Sequence, residues 1–188
     1  MSDDAFTTAT RPRIRSTTVL GWVHGGVAAL GADGQVTMGE VVVKTKARKL
    51  RRLGDGNVLA GFAGAAGDAL TLLDRLEEQV KRHPGQLERA CVALAKEWRT
   101  DRALHRLDAS LAVIDKKRAL LVAGSGEIVE PDDGLLAIGS GAPYALAAAR
   151  ALVRNTKLTP EKLVREALTV AGEICIYTNQ QIEIEVLS

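Results

Sequence analysis

The 188 residues carry 25 basic and 23 acidic side chains, a formal net charge of +2, and 46% of them are apolar. So even a balance is no electrostatic footprint for nucleic acid or an anionic membrane, and an aromatic content of 3% is too low for base-stacking or sugar-binding platforms. Two well-separated cysteines, Cys91 and Cys175, exclude a disulfide framework and fit a reducing, cytoplasmic compartment, and no apolar run is long enough to span a bilayer.

Residues 1–16 are rich in Thr, Asp, Arg and Pro and have little to bury, so they are expected to form a disordered leader or propeptide ahead of one folded domain, 17–188. Their Arg/Thr/Ser mixture also suits a transit peptide, but Asp3, Asp4 and the lack of an amphipathic helix argue against it. From Thr17 the pattern changes. Residues 17–23 and 27–33 are β-rich and meet at His24-Gly25-Gly26, a hairpin signal. Short strands are expected at 41–43 and 49–53, then a turn at Gly54-Asp55-Gly56-Asn57 and a buried strand at 58–63.

Helical spacing follows. Leu70, Leu73, Leu76 and Val80 form a stripe that stops at His83-Pro84-Gly85. Leu87, Cys91, Leu94, Ala95 and Trp98 form a second, expected to run to about Leu107. Strands return at 110–115, 119–123 and 135–138, followed by a helix at 143–154. A last helix opens at Thr159-Pro160-Glu161, with Thr159 as N-cap, and carries Leu163, Ala167, Leu168, Ala171 and Ile174. Residues 181–187 alternate Ile182, Ile184 and Val186 with Glu183 and Glu185, a half-exposed strand. Grouped strands and grouped helices imply an α+β domain with two antiparallel sheets and a helix pair outside each.

The chain has no G-x-S-x-G elbow, no phosphate-binding loop and no H-E-x-x-H, and His24, His83 and His105 lack metal-ligand spacing and are assigned to turn or helix surfaces. Thr17 offers a different nucleophile. Cutting the bond after Ser16 would give it a free α-amine, with a pKa of about 7.7–8.0, beside its own hydroxyl. Such an amine can take the hydroxyl proton, and a positioned base of this kind contributes on the order of 10²- to 10⁴-fold. A nearby cation would tune the amine, and a carboxylate would hold that cation. Taken singly, Thr17 is an ordinary strand residue and Lys49 a solvated cation in the basic run 44–52. Ser140 between two glycines is a turn former, and Gly64 a strand-to-helix turn.

Their combination is more specific. Thr17-Thr18-Val19-Leu20, Gly31-Ala32-Asp33-Gly34-Gln35, Lys44 and Ala47-Arg48-Lys49-Leu50-Arg51-Arg52 occur in order. So do Ala60-Gly61-Phe62-Ala63-Gly64 with Asp68, Trp98-Arg99-Thr100-Asp101-Arg102, Ala137-Ile138-Gly139-Ser140-Gly141 and Ile174-Cys175-Ile176-Tyr177-Thr178-Asn179. From Thr17 to about Leu187 the sequence resembles the N-terminal threonine peptidases, and among them the HslV family related to proteasome β subunits. The resemblance implies a four-layer α-β-β-α sandwich of N-terminal nucleophile hydrolase type and a threonine endopeptidase. It places the nucleophile at Thr17, with Asp33 16 residues on and Lys49 a further 16 on, the lysine tuning the threonine and the aspartate pairing with the lysine. It also implies Ser140 near the threonine amine and Gly64 as an oxyanion donor. Thr37 would lie on the strand that holds an extended substrate, and carbonyls of Gly172, Cys175 and Thr178 would bind a monovalent cation such as sodium. As partners it implies a ring of HslU-type ATPases, self-association into two stacked hexamers, and unfolded protein substrates. Ser16 stands where self-processing proteasome subunits typically have Gly. Two other readings fit the same residues: an N-terminal nucleophile amidohydrolase acting on a small amide, and a non-catalytic ring subunit that keeps its leader.

Overall fold

The computed structural model describes residues 14–15, 17–101, 104 and 109–188. In chain order the elements are β1 (Ile14–Arg15), β2 (Thr18–His24), β3 (Val27–Asp33), β4 (Val36–Met38), β5 (Val41–Lys44), β6 (Leu50–Leu53) and β7 (Val58–Gly64). Helices α1 (Ala66–Arg82) and α2 (Leu87–Thr100) follow, then β8 (Ala109–Ile114), β9 (Ala119–Ala123), β10 (Ile128–Val129) and β11 (Leu135–Gly139). The chain closes with α3 (Ala142–Asn155), α4 (Pro160–Ile174) and β12 (Ile182–Leu187).

The β2–β3 hairpin turns through Gly25 and Gly26, both at positive φ (60° and 79°), as a tight two-residue turn requires. It is the centre of a four-stranded antiparallel sheet ordered β11-β2-β3-β12, and the strands β10-β9-β8-β7-β6 form a second, five-stranded sheet. The sheets face each other across Val19, Leu30, Leu59, Ile114, Leu136 and Ile138. Helices α1 and α2 cover the five-stranded sheet through Leu72, Leu73, Leu76, Leu94 and Trp98, and α3 and α4 cover the other through Ala145, Ala149, Leu163 and Leu168. Helix α4 lies so close to β3 that a Cβ on Gly31 would sit 2.6 Å from Val164 Cγ1 and 2.7 Å from Leu168 Cδ1. The result is the expected four-layer sandwich.

Several local expectations need correction. Helix α1 buries Leu73, Leu76 and Val80 as expected, together with Ala69 and Leu72, but Leu70 of the same stripe is 42% exposed. Helix α2 stops at Thr100 because Asp101 takes extended angles (φ −79°, ψ 126°), well short of Leu107. Residues 105–108, His105 among them, lie outside the described residues, as do 1–13 and Ser16. Thr159 does occupy the N-cap with Pro160 in the first turn, yet its side chain makes no cap bond among the described residues. Ile174 at the end of α4 is 54% exposed.

The sequence reading also had no place for a small third sheet, ordered β1-β4-β5. Its first strand comes from the leader: Ile14 pairs with Met38 and Arg15 with Thr37, antiparallel.

Candidate active site

Thr17 lies where the leader strand β1 gives way to β2, and it is 3% exposed. The peptide unit joining it to Thr18 is gripped on both sides. The Ser140 N–H donates to the Thr17 carbonyl at 2.9 Å, and the Thr18 N–H donates to Asp33 Oδ1 at 2.7 Å. Asp33 reaches this position because it is the last residue of β3, in a hairpin register that pairs Val19 with Ala32.

Four donors converge on the Asp33 carboxylate. Oδ1 accepts from the Thr18 N–H and from Lys49 Nζ at 2.8 Å, and Oδ2 accepts from the N–H groups of Gln35 (2.8 Å) and Asn179 (3.3 Å). Lys49 immediately precedes β6 and is 2% exposed, whereas Lys44, Lys46, Arg48, Arg51 and Arg52 of the same basic run are exposed. Burial pushes the Lys49 ammonium below its ordinary pKa, while the charge and hydrogen bond of Asp33 act to hold the proton on. Lys49 is therefore a dry cation paired to a buried carboxylate, not a member of a solvated patch.

The hydroxyl of the second threonine has buried partners of its own. Thr18 Oγ1 accepts from the Gly141 N–H at 3.0 Å and lies 2.6 Å from Thr178 Oγ1, so it is engaged in tying β2 to the start of α3 and to the segment after α4. The Gly139-Ser140-Gly141 turn is small for a related reason. Gly139 has φ +94°, and a Cβ there would overlap the Thr17 carbonyl oxygen; one on Gly141 would overlap the Thr18 hydroxyl.

Gly64 closes β7 at φ +121°, a conformation that favours glycine, two residues before α1 begins. The first-turn N–H groups of a helix lack helical acceptors and carry the positive end of its dipole. The junction is near Thr17, since the neighbouring Ala63 Cβ lies 3.3 Å from where a Cβ on Gly139 would stand, and that same Cβ would overlap the Thr17 carbonyl oxygen. Thr37 in β4 is 3% exposed and accepts from Gln35 Nε2 at 3.1 Å, while the same amide donates to the Ile176 carbonyl at 2.8 Å.

Gly172, Cys175 and Thr178 gather at the C-terminal end of α4, where the Thr178 N–H donates to the Cys175 carbonyl at 3.0 Å. The last carbonyls of a helix have no helical donors and carry the negative end of its dipole, so an oxygen donor set here suits a hard cation. No cluster of three or more His, Cys, Asp or Glu side chains fit to hold a metal occurs among the described residues. The Cys91 thiol, buried in the core, is pushed up to about 12 by burial and is no nucleophile.

Thr17, Asp33, Lys49, Gly64 and Ser140 thus lie where β2, β3, β6, β7 and β11 begin or end, on one side of the sandwich. Sequence reasoning missed Thr18, Gln35, Gly141 and Asn179. All four stand in the motif strings that carry the resemblance, but were given no role of their own.

Comparison with known proteins identifies the family. Residues 14–187 match the family model described as proteasome subunit. The chain belongs to the proteasome family, and it is a threonine peptidase. Within that family it is 57% identical over 175 residues to the ATP-dependent protease subunit HslV of Chlorobium luteolum, covering 93% of this chain and 96% of that one. The HslV subunit of Chlorobium phaeobacteroides is 53% identical over the same shares. Eukaryotic HslV from Trypanosoma brucei superposes with a TM-score of 0.86 at 45% identity, covering 91% of this chain and 99% of that one.

Proposed function

We propose that the chain is the peptidase subunit of a cytoplasmic ATP-dependent protease, made active by removal of residues 1–16. The observation that carries this reading is the dry Lys49–Asp33 pair, one of whose carboxylate oxygens also accepts from the Thr18 N–H. The Thr17 α-amine, once freed, takes the proton of its own hydroxyl, and Oγ1 attacks the scissile carbonyl. The Lys49 charge lowers the pKa of the amine toward neutrality and steadies the alkoxide, and Asp33 fixes the lysine. The Gly64 N–H, with the positive end of α1 behind it, receives the oxyanion, and Ser140 stands beside the amine. Collapse expels the amine half of the substrate, which takes the proton from the α-ammonium, and water that gives a proton to the freed α-amine then attacks the ester and releases the acyl group.

Substrate adds to the β4 edge at Thr37 as an extended strand, which selects unfolded chains. The leader supports this choice, because its own strand Ile14–Arg15 is paired along the same residues. An uncut chain is then a zymogen twice over: Thr17 has an amide where the base should be, and the substrate edge is filled. A monovalent cation, sodium by its chemistry, would be held by carbonyls of Gly172, Cys175 and Thr178 and would stiffen the loop after α4. An HslU-type ATPase would supply unfolding and two stacked hexameric rings the chamber, since the sequence has no phosphate-binding loop of its own.

Intact-mass measurement of the active particle tests this reading. The mature chain is expected to begin at Thr17; an active particle retaining residues 1–16 would refute it. ATPase-dependent breakdown of an unfolded protein separates it from an amidohydrolase acting on small amides.

A further inference from the structure

Asn179 follows α4 on the segment that leads into β12, and its amide joins three stretches of chain. Oδ1 accepts from the N–H groups of Gly34 (3.2 Å) and Gln181 (3.1 Å), and Nδ2 donates to the Thr45 carbonyl at 3.0 Å. Its own N–H donates to Asp33 Oδ2. Gly34 is the residue after Asp33, and Thr45 opens the segment that runs to Lys49. These two segments also touch directly: the Ala47 N–H donates to the Gly34 carbonyl at 2.8 Å, and a Cβ on Gly34 would lie 2.5 Å from the Thr45 oxygen. An amide supplies both the acceptor and the donor this position needs; a carboxylate lacks the donor, and a hydroxyl is too short to reach both sides.

We propose that Asn179 is a positioning residue for peptide hydrolysis, acting through Asp33. It locks the segment that carries Asp33 to the one that carries Lys49, so the ammonium stays registered on the carboxylate beneath the Thr17–Thr18 peptide. The inference rests on the reading of Thr17 as nucleophile with that pair behind it. Without the amide, Gly34 and Thr45 regain water as partners, the fold survives, and the pair drifts.

The test uses the assembled, mature particle and a fluorogenic peptide. Asn179→Ala is expected to lower kcat by about 10- to 100-fold, the cost of a misplaced catalytic group, with KM within about twofold. Asn179→Ser, which keeps an acceptor, is expected to recover part of the loss and carries the comparison if the alanine variant fails to assemble. In an Asp33→Asn background the alanine change is expected to cost less than about twofold, because residues acting through one group are not additive. A kcat within about twofold of the parent, a loss carried by KM, or a full additive loss in that background would overturn the proposal. Thr17→Ala assayed in parallel separates the two levels. Activity in that variant sinks the nucleophile assignment, whereas a dead Thr17→Ala beside a normal Asn179→Ala sinks this inference alone.

Discussion

Thr18 and Lys49 donate to the same atom. The main-chain N–H of one and the ammonium of the other lie 2.7 and 2.8 Å from Oδ1 of Asp33. The Thr17–Thr18 peptide and the Lys49 ammonium, the proposed nucleophile's backbone and its tuning charge, are therefore indexed to a single oxygen, and the β2–β3 register brings Asp33 to it. A change of rotamer at Asp33 would break both bonds at once.

Removing the lysine exposes the cost of that arrangement. Lys49→Met leaves Asp33 as a buried carboxylate without its counter-charge, and breaking such a pair costs about 3–5 kcal/mol. Urea denaturation is expected to show a loss of that order alongside loss of activity. The pH dependence follows from the lowered pKa of Lys49. Between that native value and 10.5, the unfolded chain holds the lysine proton more firmly, so Lys49 makes stability rise with pH in that window. The methionine variant is expected to lack this rise.

Replacing the nucleophile gives a cleaner result. Thr17→Ala is expected to reduce peptide hydrolysis by about 10³-fold or more while the urea midpoint barely moves, and Thr17→Ser is expected to keep measurable turnover. Equal activity in both variants would point to another nucleophile.

The neighbouring threonine should behave oppositely. Thr18→Val keeps the shape but leaves the buried Gly141 N–H without its acceptor, a penalty of about 1–3 kcal/mol. Stability is expected to fall by that amount, while a threonine-directed electrophile still labels Thr17 by peptide mapping. Label on residue 18 in the parent would overturn the assignment.

Backbone space supplies a further check. Gly139→Ala puts a side chain at φ +94° and into the Thr17 carbonyl oxygen. Strain of this kind costs about 1–3 kcal/mol before any overlap. Thermal unfolding is expected at a lower temperature, and peptide hydrolysis is expected to fall further than in Thr18→Val because the Thr17 backbone itself must move.

Much of this was legible in the sequence because it rests on features that sequence carries directly. Strand alternation, the Gly25-Gly26 turn and the order of grouped elements encode the layers. The Asp33–Lys49 pair was legible through the resemblance alone: the hairpin brings Asp33 back beside the start of β2, but Lys49 read singly is one cation of the basic run 44–52. What was not legible depends on tertiary context. The true core face of α1 is set by the sheet beneath it, which is why Leu70 misled. Strands β4 and β10 have three and two residues, too short for alternation to register. Asn179 closed a motif string without a role of its own, because nothing local says that Gly34 and Thr45 will meet there.

The small sheet β1-β4-β5 has a consequence for the order of events in the cell. While Ile14 and Arg15 stay paired, β4 is an interior strand with a neighbour on each flank. Their departure would bare one flank on a hairpin whose Met38, Val41, Val42 and Val43 already face water. An unpaired strand edge beside apolar side chains is adhesive toward any stretched polypeptide, another copy of the same protein included. Trimming of the leader, as proposed, would bare this adhesive edge at the same moment as the Thr17 amine, so a closed particle would shield the peptidase as much as its surroundings.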